Sequence, residues 1–272
     1  MPTANESAFL AGWANAGAAP LTRFLQSTVS TMDDARALRA EWRATGLPMA
    51  AVLADRQTGG HGRFDRPFSS EEGGMYLSLL LRLDGLPAPR GGLITLFTAV
   101  AVAEAIEEAA SLPAGAIGCK WVNDLFLHEK KLCGILAEGV LAGNGCFSEC
   151  LIGIGVNLRN PLPPALSTIA TSLAAENAPV IPSPAALAGV IARHLFAAAD
   201  TLNGSGFLDR YRRRMLFCGK RVLVSPTVTD AAPAPSFPAA ILGVADDGAL
   251  LVRDDSGTVR EVYAGEFSVH LL

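Results

Sequence analysis

The sequence predicts an α+β protein of two domains, a larger unit of strands and helices over residues 1–217 and a small SH3-like β-barrel over residues 218–272. Three observations carry this. Apolar runs of strand length, such as Met49 to Ala54 and Met75 to Leu81, alternate with stretches whose apolar residues recur at helical spacing. The chain has 272 residues, half of them apolar, enough for one substantial core and a satellite. From Gly219 the texture changes to five short strand-like runs with Asp246-Asp247-Gly248 and Asp254-Asp255-Ser256-Gly257 at hairpin positions. Short strands packed so closely make a small barrel the natural architecture.

Leu21 to Thr28 holds alternating and β-branched residues and is the first expected strand. Ser30-Thr31-Met32-Asp33 follows, where a hydroxyl or Asp33 can cap a helix that carries Ala37, Leu38 and Trp42 on one side and stops at Gly46. After the strand Met49 to Asp55 comes a loop to Phe68, then the strand Met75 to Arg82 and a Pro/Gly-rich connection, Gly85 to Gly92. A helix from Leu93 to Ala110 has Leu96, Val100, Ala103 and Ile106 at packing positions. Ile117 to Leu127 is an apolar strand interrupted by Lys120, Asn123 and Asp124. The chain turns at His128-Glu129-Lys130, and Lys131 to Glu138 returns as its hairpin partner. Cys150 to Leu158 is a further strand. Pro161 to Pro184 is a proline-rich connection, helices Pro184 to Leu202 and Phe207 to Phe217 complete the first domain, and Asp230 to Pro238 is expected to be a flexible loop.

Net charge is −4 and no block of like charge exceeds Arg212-Arg213-Arg214, which excludes general nucleic-acid binding by charge. Met1 to Ala19 has neither the basic start of a signal peptide nor an uninterrupted apolar span, so a cytoplasmic protein without membrane attachment is expected. Five cysteines form an odd number without a Cys-x-x-Cys pair, against both a disulfide framework and a zinc site. The four histidines lack metal-ligand spacing.

Two stretches carry chemistry. Asp55 to Phe68 places three glycines in four positions, Gly59, Gly60 and Gly62, among Arg56, Arg63 and Arg66. Such a loop lets backbone N–H groups and guanidinium forks approach an anion; the alternative is a long solvated connection. In Ile117 to Leu127, three polar residues within an apolar run are costly to bury without partners or a ligand. The hairpin return brings Lys131 near Lys120 and Asp124. Gly153-x-Gly155 marks a close approach of backbone or ligand and is no dinucleotide fingerprint, because the third glycine and the helix are missing.

Taken in order, Ser30-Thr31-Met32, Gln57-x-x-Gly60-His61-Gly62-Arg63-x-x-Arg66, Lys120-Trp121-x-Asn123-Asp124, Lys131-Leu132-x-Gly134-Ile135-Leu136 and Gly153-x-Gly155-x-Asn157 resemble the motif series of the biotin protein ligase family. The resemblance runs from Leu21 nearly to the end. It implies a mixed β-sheet flanked by helices, shared with lipoate ligases and octanoyl transferases, as a catalytic domain at 1–217, followed by the C-terminal barrel. It implies ATP, biotin and Mg²⁺ as substrates and cofactor, and a biotin carboxyl carrier protein domain, such as that of acetyl-CoA carboxylase, as acceptor, docking at an open sheet edge that would also serve a homodimer. The residues before the first motif are too few for the DNA-binding domain of some members, so DNA is not an expected partner.

By the same resemblance, Lys131 meets the biotin carboxyl group, Lys120 serves the phosphates, and Arg63 joins them as a catalytic cation. Asp124 is a candidate for Mg²⁺–ATP or for the incoming amine. Ser30, Thr31, Met32, Gln57, Gly60, His61, Gly62, Arg63, Lys131, Gly134 and Gly155 form the implied biotin site; Arg63, Arg66, Lys120, Trp121, Asn123 and Asn157 form the implied ATP site. The chain departs from the family pattern at His61, Phe64 (both usually arginine), Asp65 (glycine), Phe68 (tryptophan), Val122 (proline) and Met32 (asparagine). Two other readings are a lipoate or other acyl ligase on the same fold, and a non-catalytic biotin-binding homologue.

Overall fold

In the computed structural model, residues 2–14, 16–204, 206–227, 235–264 and 267–271 are described. Seven strands form one mixed sheet: β1 (Leu21–Leu25), β2 (Met49–Ala54), β3 (Met75–Pro87), β4 (Ile117–Lys120), β5 (Asp124–Leu127), β6 (Lys130–Leu141) and β7 (Cys146–Val156), in the order β1-β2-β3-β7-β6-β5-β4. β1 and β2 run parallel, as a strand–helix–strand crossover requires, and every other neighbouring pair is antiparallel.

Helix α2 (Thr31–Thr45) makes that crossover and closes at Gly46, whose φ of 72° is the left-handed cap expected of glycine. Its face of Met32, Ala35, Leu38 and Trp42 packs on Ala50, Val52, Leu80 and Leu151. The alternate residues of the same strands, Met49, Ala51, Leu53, Leu77 and Leu79, point into the larger core on the other side, with helices α3 (Leu93–Ala109) and α4 (Pro184–Ala198). β2 is therefore buried at all its positions, the pattern of a strand covered on both faces. By length and composition Pro184–Asn203 is apolar enough to cross a membrane, but half of it is buried inside the protein as a core element.

Helix α1 (Ala4–Trp13) is an element that the sequence reading leaves out. Thr3 and Glu6 form a reciprocal capping box at its start. Phe9 and Trp13 enter the core, and Gly12 brings the helix so close to α4 that a Cβ there would sit 2.8 Å from the Val190 nitrogen. The expected single strand Ile117 to Leu127 is instead a hairpin, β4 against β5, with Trp121-Val122-Asn123 as its turn. β3 continues through the expected connection to Pro87 by way of an irregular register between Arg82 and Leu86. β7 starts earlier than expected, at Cys146. All five cysteines are free.

Helix α5 (Gly206–Arg214) leads to the second unit. There, β8 (Arg221–Pro226), β9 (Phe237–Val244), β10 (Leu250–Asp254), β11 (Val259–Val262) and β12 (Phe267–Leu271) form an antiparallel sheet in the order β11-β10-β9-β8-β12. Gly248 and Gly257 take positive φ in the two expected hairpin turns. Most of the expected loop Asp230 to Pro238 falls at 228–234, outside the described residues.

Candidate active site

The site begins with the start of α2. Ser30 is its N-cap residue, yet its side chain makes no capping bond, and Thr31 turns inward. The Thr31 N–H and hydroxyl both donate to Gln57 Oε1, at 2.9 and 3.0 Å, and the hydroxyl also meets Ser78 Oγ at 2.8 Å. Gln57 Nε2 donates to Ser70 Oγ, which donates to the Phe68 carbonyl, each at 3.0 Å. Capping does not account for these hydroxyls: they lock the two ends of the glycine-rich loop to the sheet. Within the loop, Gly62 N–H donates to Arg66 O and Phe68 N–H to Gly60 O, both at 2.8 Å, folding it into a small hairpin. Phe64 lies at its tip with φ 58°, its ring 4.9 Å from the Arg63 guanidinium and 6.0 Å from that of Arg66. The side chain of Asp65 lies outside the described residues.

Facing the loop are the two hairpins of β4 to β7. Lys131 Nζ is 2.7 Å from Asp124 Oδ1, both side chains partly buried. The Asn123 amide donates to Ile135 O at 2.8 Å and Ile135 N–H returns to Asn123 O at 2.9 Å, holding the β4–β5 turn on β6. Lys120 has no ion-pair partner among the described residues. Gly155 and Gly153 on β7 are needed for close approach: a Cβ on Gly155 would fall inside the contact distance of the Phe68 ring, and one on Gly153 would sit 2.7 Å from Met32 Sδ.

Together these groups enclose a cavity of about 260 Å³. Ser30, Thr31, Met32, Gln57, His61, Gly62, Arg63, Arg66, Lys120, Trp121, Asn123, Asp124, Lys131, Gly134 and Gly155 all line it, so fifteen of the residues singled out by motif converge on one space. Two do not. Gly60 packs behind the wall against Ser70 and Gln57. Asn157 is buried in structural duty, its amide donating to Thr171 O at 3.0 Å and its Oδ1 accepting from Asn160 at 3.1 Å. These bonds fix Asn157 at the end of β7, outside the residues that line the cavity. The sequence reading also missed lining residues. Phe68, noted only as a departure, stacks at 6.0 Å from Lys131 Nζ, and Phe267, Val269 and His270 reach the cavity from β12. No local signal marks those three, because their approach is a long-range consequence of how the second unit docks.

The cavity is strongly cationic, with Arg63, Arg66, Lys120 and Lys131 against one carboxylate, Asp124, among its described lining residues. Burial pushes the Arg63 guanidinium down from its usual range; Asp124 opposes this and Arg66 adds to it. A buried cation short of counter-charge is a site arranged for an anion. Asp124 Oδ1 is engaged by Lys131, and no group of three or more His, Cys, Asp or Glu that could hold a metal by protein ligands alone occurs among the described residues.

A mixed sheet with a glycine-rich loop and two lysine-bearing hairpins around one cationic cavity defines the biotin/lipoate ligase class. In agreement, residues 24–157 match the biotin/lipoate A/B protein ligase family and residues 227–269 match the biotin protein ligase C-terminal domain. The chain belongs to the biotin protein ligase family. It is 32% identical over 231 residues to the bifunctional ligase/repressor BirA of Bacillus subtilis, covering 80% of this chain and 65% of that protein. It is 28% identical over 227 residues to the biotin–[acetyl-CoA-carboxylase] ligase of Mycobacterium tuberculosis, covering 81% and 78%. The chain thus spans just under two thirds of the BirA length. The biotin protein ligase of Aquifex aeolicus in complex with biotin and ATP superposes with a TM-score of 0.70 at 27% identity, over 93% of this chain and 99% of that one. The Leishmania major enzyme in complex with biotinyl-5-AMP gives 0.63 at 26% identity, over 91% and 100%.

Proposed function

We propose that this chain is an ATP-dependent biotin protein ligase that forms biotinyl-5′-AMP and passes the biotinyl group to a lysine of a biotin carboxyl carrier domain such as that of acetyl-CoA carboxylase. The observation that carries this reading is the convergence of four cations on one cavity whose inner end is hydrogen-bonding, through Ser30, Thr31 and Gln57. In the first step a biotin carboxylate oxygen attacks the α-phosphorus of ATP and pyrophosphate leaves. Both reactants are anions, so the chain's contribution is to bring them together and to stabilise the charge that develops between them. Lys131 and Arg63 serve the carboxylate and α-phosphate, and Lys120 and Arg66 the departing pyrophosphate. In the second step the carrier lysine amine attacks the acyl carbon and AMP leaves. Asp124 holds Lys131 in place and is the one carboxylate among the described lining residues able to take the amine's proton. Mg²⁺ enters as the counter-ion of ATP, not on a protein site, and a cytoplasmic setting belongs to the same reading. The carrier adds at the β1 end of the sheet, since the β4 end is covered by residues 215–217; the β1 edge would also serve a homodimer.

The test is exchange of labelled pyrophosphate into ATP. Exchange that depends on biotin, is not supported by lipoate, and falls by about 10²- to 10³-fold in Lys131→Ala is the expected result. Lipoate-driven exchange would establish the other acid as substrate. Biotin binding without exchange would mean a pocket that has lost its reaction.

A further inference from the structure

The segment that joins the two units runs beside β4 and is tied to it by an isolated bridge. Met215 bridges Cys119 in parallel, and the Leu216 N–H donates to Cys119 O at 2.9 Å. Both ends of the segment are anchored. Upstream, the Arg214 guanidinium grips Glu107 through two bonds of 2.6 and 2.8 Å and donates to Ile117 O at 3.1 Å, while Glu107 Oε1 accepts from the N–H groups of Gly115 and Ile117. Downstream, the Phe217 ring meets Phe126 edge-on at 6.0 Å, and the Gly219 N–H donates to Ile241 O at 2.8 Å.

The side chain of Leu216 fills a place that β4 leaves empty. Residues two apart on a strand share a face, and on β4 Gly118 and Lys120 lie on the less buried face while Ile117 and Cys119 enter the core. A Cβ on Gly118 would meet Leu216 Cδ2 at 2.6 Å, so Leu216 sits directly over Gly118, on the face of β4 that Gly118 shares with Lys120. Lys120, Trp121 and Leu216 also line one small crevice between the units. On its other side Trp121 is tied to the second unit, its Nε1–H donating to Gly248 O at 3.1 Å. A lysine stem has high rotamer freedom, and Lys120 has no ion pair among the described residues to hold it.

We propose that Leu216 is a positioning residue for Lys120: packed over Gly118 by the docked second unit, it confines the lysine stem and aims the ammonium at the polyphosphate end of the cavity. This rests on the ligase reading for the identity of the substrate, but the placement itself is tested with inorganic pyrophosphate, which needs no turnover. Calorimetric titration of the full chain should show pyrophosphate binding weakened about tenfold in Leu216→Ala, near the low end of what a hydrogen bond to a charged group contributes. Biotin affinity should stay within about twofold, because Thr31 and Gln57 lie away from β4. Leu216→Ile should restore pyrophosphate binding. The decisive arm is the double variant: Leu216→Ala should add almost nothing to Lys120→Ala if it acts through that lysine.

Additive losses, an unchanged pyrophosphate affinity in Leu216→Ala, or equal losses for pyrophosphate and biotin would each overturn the assignment. So would a wild-type protein that does not bind pyrophosphate. Should Leu216→Ala not fold, Leu216→Val must show the same order of effects. The expected pattern in a wild type that fails biotin-dependent exchange would sink the ligase reading and leave this placement standing.

Discussion

Replacing Gly155 by alanine adds one methyl group where the structure has no room for it. The new Cβ would overlap the Phe68 ring, 2.7 Å from Cζ and 3.2 Å from Cδ1, with Cε1 nearer still. Carbon atoms rest at roughly 3.5–4.0 Å, so the ring must retreat by about 1 Å. Behind it stands Tyr76, edge-on at 6.5 Å, and on the open side lie Lys131 and the cavity. Overpacking of this kind costs about 1–3 kcal/mol. A retreat toward Tyr76 places that cost on the fold; a retreat into the cavity places it on the ligand, as a loss of about 5- to 150-fold in biotin affinity. The cavity is the side without packed atoms, so the second outcome is expected: weaker biotin binding by calorimetry with a small change in melting temperature. Phe68→Leu, introduced into Gly155→Ala, removes the collision and should recover part of the loss, giving a coupling energy of about 1 kcal/mol in a double-mutant cycle. Wild-type affinity in Gly155→Ala, or strictly additive losses in the double variant, would refute the reasoning.

Arg214→Ala leaves Glu107 buried without its partner and should destabilise the protein by about 3–5 kcal/mol, read as a lowered denaturant midpoint. Burial would raise the Glu107 carboxyl, but the hydrogen bonds from Arg214 and from the Ile117 and Gly115 N–H groups outweigh it and hold the group below its ordinary value of 4.5. A carboxyl depressed in the folded state contributes stability that is complete above 4.5 and is lost as pH falls through the lower folded value. Melting temperature should therefore fall more steeply with acid in wild type than in Glu107→Gln as pH drops from 4.5 to that lower value. The loop hairpin closed by Gly62–Arg66 and Phe68–Gly60 has an exposed tip, and trypsin cleavage there should slow when biotin and ATP are present; equal cleavage in both states would count against a loop that closes on its ligands.

The strands and helices with strong periodicity were legible because burial dictates them: the alternate residues of Met49–Ala54 serve two cores, and Gly46 ends α2 as its position suggested. The polar residues of the site were legible because Lys120, Asp124 and Lys131 sit where an apolar run cannot bury them unpaired. Asn157 gives the same sequence signal without lining the cavity. A buried asparagine can satisfy itself on neighbouring backbone, and here it does, on Thr171. The β4–β5 turn was hidden because Trp121-Val122-Asn123 holds neither glycine nor proline, and its return bonds come from Ile135, outside the local window. Phe267, Val269 and His270 could not be found from motifs at all, since domain docking alone brings them to the cavity.

Helix α1 shows that the cooperative unit is wider than the motif series. Phe9 and Trp13 are buried in the main core, Gly12 meets α4 backbone to backbone, and Arg193 of α4 donates to Gly12 O at 3.1 Å. An engineer trimming the chain to the ligase motifs would start it at Leu21 and strip two aromatic side chains from beneath the sheet. The resulting protein would keep each residue of the cavity and lose several kcal/mol of burial, about 1.5–3 kcal/mol per large apolar side chain. Its poor yield would then be mistaken for a defective active site.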